Sequence, residues 1–260
     1  MIEYRDLKEY VLCWALEKIN MASDLQRENW IEFWDGQTVF SDTFFYEAMN
    51  IFLERSAKLL KPGPNDIVLD IGCGAGVLPQ ILHEKVKEIH CVDTSPQMID
   101  KARKLMAGAG NVYFYHLDPD NFTDLTMFED KKFDLVITAS VVQYYPDISH
   151  LEKLIKEIVR ISKPEFRAII TDIHNRHSLV KDAGIQLWES LKKMYVFEVV
   201  NAFVKAKFLS NYMSVKKTQG YLTTNKNELE SLFAKLRIKA EVREDSLTVN
   251  GGRFHLFFHS

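Results

Sequence analysis

The stretch IVLDIGCGAGVLPQIL, Ile67 to Leu82, places Gly72, Gly74 and Gly76 at alternate positions between two apolar runs. The run before the glycines has the length and composition of a short buried strand, and the run after them, near Val77 to Val86, reads as a helix. Upstream, KPGPND punctuates the chain. Downstream the alternation continues: EIHCVD is a strand, and TSPQMIDKARKLMAG is a helix with Ser95 as N-cap and Pro96 in its first turn. NVYFYHLD and FDLVITAS are two more strands. ISHLEKLIKEIVRIS is an amphipathic helix with Leu151, Leu154, Ile155, Ile158 and Val159 on one stripe, and Ser149 and Glu152 fit a capping box. RAIITDI follows the Lys163-Pro164 break as a fifth strand. Strands that alternate with helices in this way form an open parallel sheet covered on both faces.

Residues 1 to 60 lack strand alternation and show helical spacing at Tyr10, Leu12, Cys13, Leu16 and Ile19, followed by the aromatic-rich NWIEFWDGQTVFSDTFFYEAMNIFL. They read as an N-terminal helical cap on a core spanning 61–260. Within that core, 175–225 is an aromatic and basic insertion after strand five. A helix from Lys226 to Leu236 and the strands KAEVRED and GRFHLFFHS close the chain, with VNGG between the strands as hairpin chemistry. The expected fold is therefore α/β: a doubly wound, seven-stranded sheet, mostly parallel with a C-terminal antiparallel hairpin.

Composition narrows the function. With 260 residues, 47% of them hydrophobic, the chain can bury a large core. Its 33 basic and 36 acidic residues are well mixed, so there is no basic stripe for a nucleic-acid backbone. Cys13, Cys73 and Cys91 lack metal-type spacing and suit reduced thiols. Glu3, Arg5, Asp6, Lys8 and Glu9 occupy the place of a signal peptide's apolar centre, and no window is apolar enough to span a bilayer. A cytoplasmic protein without membrane insertion is the expectation.

In an open α/β sheet the ligand lies beyond the carboxyl ends of the strands, and the first strand-to-helix turn is its usual place. Dinucleotide dehydrogenases use G-x-G-x-x-G there, whereas this spacing is G-x-G-x-G with Val77 in the dehydrogenase position. The acidic Asp70 just before the loop suits a ligand that brings an ammonium group, as S-adenosylmethionine does. VLDIGCGAG resembles motif I of the class I S-adenosylmethionine-dependent methyltransferases, and the resemblance runs from about Asn65 to Ile173, closest to the small-molecule type and to domains embedded in peptide synthetases. It implies a Rossmann-like fold and S-adenosylmethionine as cofactor, held by Asp70, Gly72, Gly74 and Gly76. CVDTSPQMI is similar to the second motif, which assigns Asp93 to the ribose hydroxyls and Thr94 and Met98 to the adenine. YHLD resembles the segment whose acid, here Asp118, meets the adenine amino group. FDLVITASVVQYYPD is similar to the fourth-strand motif and puts Ser140 and Val141 at the methyl-donor end.

The acceptor is defined mostly by exclusion. TASVVQYY replaces the N-P-P-Y of amino-methyltransferases, and residues 138–141 carry no acid of the catechol type, so no metal is expected. TDIHNRH leaves three readings open for Asp172, His174 and His177: solvated loop, metal ligands, or acceptor contacts. His174, His177 and Tyr144 are the catalytic candidates, with Gln143 and Tyr145 in reach, since an imidazole suits removal of a hydroxyl proton near neutral pH. Lys205, Lys207, Lys216 and Lys217 leave two readings open: a solvated basic face, or contacts that favour an anionic acceptor. The expected function is methyl transfer to a small-molecule acceptor, at oxygen rather than nitrogen, in a tailoring pathway such as natural-product or surface-glycan modification, phosphoramidate methylation included. N-methylation, a non-catalytic S-adenosylmethionine-binding protein and an NAD-dependent oxidoreductase are the alternatives.

Overall fold

The computed structural model describes residues 29–35, 40–176, 196–208 and 210–259. Two helices, α1 (Trp30–Asp35) and α2 (Asp42–Leu60), precede the alternating core. The core begins with β1 (Ile67–Ile71), α3 (Val77–Leu82), β2 (Glu88–Asp93) and α4 (Pro96–Leu105). It continues with β3 (Val112–His116), β4 (Phe133–Thr138), α5 (Ile148–Ile161) and β5 (Ser162–Asn175). After β5 come α6 (Val196–Phe208), α7 (Tyr212–Gln219), β6 (Thr223–Thr224), α8 (Lys226–Leu236), β7 (Ala240–Arg243) and β8 (Arg253–His259).

The sheet order is β3-β2-β1-β4-β5-β8-β7, with β1 to β5 parallel and β8 antiparallel to both β5 and β7. The winding reverses between β1 and β4, so the loops after β1 and β4 emerge side by side at one edge. Side chains alternate faces along each strand, and β1 shows both layers. Val68 packs with Phe52, Leu78 and Ile89 on one side, and Leu69 packs with Leu151, Leu154 and Phe254 on the other.

Several local expectations differ from the structure. The seven-stranded path gains an eighth, two-residue strand, β6, whose Thr223 and Thr224 pair in parallel with His174 and Asn175. Strand five begins earlier than the Lys163-Pro164 break, because Ser162 already pairs with Phe133 and a register shift absorbs the proline before regular pairing resumes at Leu135 and Arg167. Helix α3 ends at Leu82 and a 3-10 turn takes over at His83–Lys85. Asp147, not Ser149, caps α5: its carboxylate accepts from the backbone of Ser149 and His150, and a charged acceptor displaces the hydroxyl from that role. VNGG does not make a tight hairpin. Residues 244–252 form a longer loop held by Arg55, which donates to the carbonyls of Ser246 and Thr248. The helical spacing at Tyr10 to Ile19 lies outside the described residues, as does His177.

Candidate functional site

The three glycines serve three different ends. Gly72 has φ +75°, and a Cβ there would sit 2.2 Å from Cγ2 of Val141, so the loop after β4 closes over it. Gly76 has φ +85°, and its Cβ would meet the Cβ of Ala102 at 2.9 Å, so α3 can pack on α4 only without a side chain there. Gly74 has φ +52° and nothing within 4 Å of its Cβ position, which leaves its backbone open to an incoming ligand. The loop is tied to β2 by two bonds, from Gly72 N and Cys73 N to the carbonyl of Val92.

Two carboxylates flank this loop. Asp70 is buried, and its Oδ2 has no hydrogen-bond partner. Burial, reinforced by the nearby Asp93, pushes its carboxyl up to about 8. Asp93 accepts from Gly74 N at 2.8 Å through Oδ2 and from Ser95 N at 2.9 Å through Oδ1. Burial raises its carboxyl and those backbone bonds partly offset the rise. Thr94 adjoins it and accepts from His116 Nε2 at its carbonyl, and Met98 is buried at the start of α4 with its N–H on the Ser95 cap.

Asp118 follows Leu117, whose N–H donates to the Asp93 carbonyl. It is exposed, and its Oδ1 closes a turn by accepting from Asp120 N at 2.9 Å. That turn is an Asx turn, which a short acid before Pro-Asp-Asn favours on local grounds alone.

At the edge where β4 and β5 end, Ser140 and Asp172 both adopt left-handed backbone, with φ 60° and 63°. Non-glycine residues hold that conformation only where their surroundings fix it. Here Ser140 Oγ donates to Asp172 Oδ2, and Thr248 Oγ1 donates to Asp172 Oδ1 at 2.6 Å. Gln143 sits beside them, donating from Nε2 to the Ser140 carbonyl at 3.0 Å and accepting at Oε1 from His174 Nε2 at 3.1 Å. With the amide oriented by its bond to Ser140, His174 carries its proton on Nε2. Its ring stacks on Tyr221 at 4.2 Å between centroids. Burial, with Arg253 and Lys216 nearby, pushes the imidazole down to about 3.

Residues 68–165 match the methyltransferase domain family. The chain is 30% identical over 128 residues to chondramide synthase of Chondromyces crocatus, covering 49% of this chain and 3% of that protein. It is 31% identical over 162 residues to the chloroplastic tocopherol O-methyltransferase of Arabidopsis thaliana, covering 60% of this chain and 45% of that one. The chain thus spans less than half the length of these two relatives. In fold it is similar to an S-adenosylmethionine-dependent methyltransferase of Aquifex aeolicus, with a TM-score of 0.51 at 16% identity, covering 79% of this chain and 87% of that one. Residues 68–165 are thus a methyltransferase domain, on a fold shared with S-adenosylmethionine-dependent methyltransferases.

The residues present fit the cofactor of the methyltransferase domain. A buried carboxylate oxygen without a partner at Asp70 and an open, left-handed glycine at Gly74 are what an ammonium-bearing ligand lying along the loop requires. Helix α1 ties two regions of the protein together. Its Asp35 Oδ1 accepts from Ser95 Oγ at 2.7 Å and from Gln97 N at 3.3 Å, and its Oδ2 accepts from Gln97 Nε2 at 2.9 Å, just beyond Asp93. At its other end Trp30 stacks on Tyr221 at 5.3 Å, meets Tyr144 at 4.8 Å, and donates from Nε1 to the Gly220 carbonyl at 2.8 Å. Tyr212 and Tyr221 share a hydroxyl contact. Burial raises the Tyr144 phenol well above its ordinary range, with Tyr212 adding to the effect, so Tyr144 is a neutral donor near pH 7. Among the described residues, no three His, Cys, Asp or Glu side chains gather as a metal site.

Asp35, Thr248 and Arg253 escaped sequence reasoning, because each matters through a partner far along the chain; the sequence places Gln143 near the acceptor but does not reveal its bond to His174. Replacing Asp35 by Ala removes three hydrogen bonds that hold α1 to the start of α4. Hydrogen exchange at residues 29–35 should then accelerate about tenfold, as a loss of roughly 1 to 2 kcal/mol predicts. Unchanged exchange would mean that the aromatic contacts of Trp30 hold α1 unaided.

Proposed function

We propose that the protein transfers the methyl group of S-adenosylmethionine to a small-molecule acceptor, at oxygen rather than nitrogen, in a biosynthetic tailoring reaction in the cytoplasm. The observation that carries this reading is the wall of Trp30, Tyr144 and Tyr221 beside the Ser140 end of β4, which suits a compact organic acceptor. The oxygen reading draws support from the tocopherol O-methyltransferase relative. On this proposal Gly72, Gly74 and Gly76 shape the cofactor loop, Asp70 meets the ammonium, Asp93 holds the ribose, Thr94 and Met98 border the adenine, and Ser140 and Val141 lie at the methyl end. Residues 1–60 and 175–225 supply the cover and the acceptor pocket on the core of 61–260.

The chemistry asks little of acids and bases. The sulfonium supplies an activated methyl group, and alignment of acceptor, methyl and sulfur accounts for much of the acceleration. His174, a candidate base from sequence, is held neutral by burial with Arg253 and Lys216 close by, and an imidazole at about 3 is a poor proton acceptor. We assign it a positioning role, fixed by Gln143. The two cations near it favour an acceptor that is anionic when it binds, and such an acceptor needs no base.

The test is release of S-adenosylhomocysteine with panels of hydroxylated, carboxylated and amine acceptors. A response confined to amines would overturn the oxygen assignment. With an active acceptor in hand, the rate should show no limb near pH 6.5 attributable to His174, and His174→Gln should raise KM more than it lowers kcat. A wild-type limb near 6.5 that His174→Gln abolishes would restore the base role.

A further inference from the structure

Helix α6 is apolar on two opposite faces. Successive residues turn by about 100°, so Val199, Ala202 and Ala206 point one way and Phe197, Val200, Val204 and Phe208 the other. The first face is packed: Ala202 is buried, Val199 lies against the cluster of Phe44, Ile51 and Val249, and Ala206 lies against the cluster around Trp30. The second face meets solvent, with Phe197 75% exposed, Phe208 65% and Val200 49%. Phe203, on its flank, is 58% exposed, and Met213 of the adjoining α7 is 49% exposed. Single exposed apolar residues are ordinary; a contiguous stripe of this kind marks a contact surface.

The charges around the stripe say what kind of contact. From Val196 to Gln219 the chain carries Lys205, Lys207, Lys216 and Lys217 against the single acid Glu198, a net charge of +3 within a protein whose total is -3. Lys207, Lys216 and Lys217 are exposed. The Lys207 ammonium lies 5.1 Å from the centroid of the Phe208 ring, so cation and apolar ring reach the same boundary together. Large apolar rings flanked by lysines on one helix face are the composition of a segment that lies in the interface of an anionic bilayer. A second copy meeting this face would oppose two like-charged patches.

We propose that α6 docks on an anionic lipid surface, with Phe197, Phe203 and Phe208 entering the headgroup layer and Lys207 and Lys217 meeting anionic headgroups. The helix lies on the bilayer; its 13 residues are too few to cross one. Because Ala206 also packs against the cluster of Trp30, Tyr144 and Tyr221, docking would set the aromatic wall close to the lipid surface. The docking does not depend on which acceptor is methylated.

The experiment is co-sedimentation of the full chain with vesicles of phosphatidylcholine alone or mixed with phosphatidylglycerol, at low and high salt. Binding is expected to the anionic vesicles, weakened by salt, with little to the neutral ones. Lys207→Glu and Lys217→Glu should each lower anionic binding about fivefold or more. The pair Phe197→Asp and Phe208→Asp should lower it about thirtyfold or more. These side chains are exposed, so the variants should keep the wild-type melting temperature and affinity for S-adenosylhomocysteine. Should the phenylalanine pair unfold the protein, the lysine variants and the salt series decide. Absence of anionic binding, or binding unaltered in the variants, would overturn the proposal. So would a dimer in vesicle-free solution that the phenylalanine pair dissociates, which would make a second copy the occupant. Vesicle binding by a protein that fails to bind S-adenosylhomocysteine would leave the docking intact and remove the cofactor reading instead.

Discussion

Asp93→Ala is expected to lower affinity for S-adenosylmethionine and S-adenosylhomocysteine by about 2 to 4 kcal/mol, roughly thirtyfold to a thousandfold. An ionised carboxylate offers about four acceptor sites. Gly74 N and Ser95 N occupy one on each oxygen, the Thr94 N–H also bonds the carboxylate, and on the proposed assignment the remaining capacity takes the ribose hydroxyls. The substitution therefore acts twice: it removes the ribose acceptors and frees the N–H of the one glycine in the loop whose Cβ side is open. Asp93→Asn should fall between, because its amide oxygen can still receive one backbone N–H. Calorimetry on the three proteins checks this, and equal affinities would remove Asp93 from the ribose site.

Asp70 makes the second large effect a function of pH. Its carboxyl is raised to about 8 by burial, and then by Asp93, so the folded protein keeps a proton there that the unfolded chain releases near 4. The stability this contributes is fully present below about pH 4 and is lost progressively as pH rises toward 8. The isosteric, uncharged Asp70→Asn should therefore melt higher than wild type at pH 8 without ligand, by about 1 to 3 kcal/mol. Cofactor affinity should move the other way. Wild-type binding strengthens from pH 6 toward 8 as the carboxyl ionises, and weakens above it as the ligand's amine loses its proton near 8. Asp70→Asn should bind about tenfold or more weakly at pH 8 and lose the dependence below it. Melting curves and calorimetry between pH 6 and 9 read both effects. A variant that binds as wild type does would show that Asp70 does not face the ammonium, and one that is less stable at pH 8 would show that burial does not hold the carboxyl protonated.

What the sequence made legible is what is encoded locally. The apolar runs of β1, β2, β4 and β5, the glycines between β1 and α3, and the Ser95-Pro96 start of α4 each depend on near neighbours, and the structure has them as expected. The misses arise where two local devices compete or where the partner is remote. Asp147 and Ser149 are both capable caps for α5, and only geometry chooses the carboxylate. The role of Gln143 depends on His174, 31 residues away, and that of Asp35 on Ser95, 60 residues away. The lowered His174 imidazole could not be foreseen either, because it follows from burial beside Arg253 of β8 and Lys216 of α7.

The contact between Gly72 and Val141 constrains how this protein can change over time. A methyl group at position 72 would overlap the Val141 side chain, and the left-handed backbone there resists any side chain even if position 141 shrinks. Position 72 therefore cannot gain bulk while Val141 keeps its place. The loops after β1 and β4 are thus one packed unit, and on the proposed function a change at Val141 toward a new acceptor would have to respect the space that Gly72 leaves.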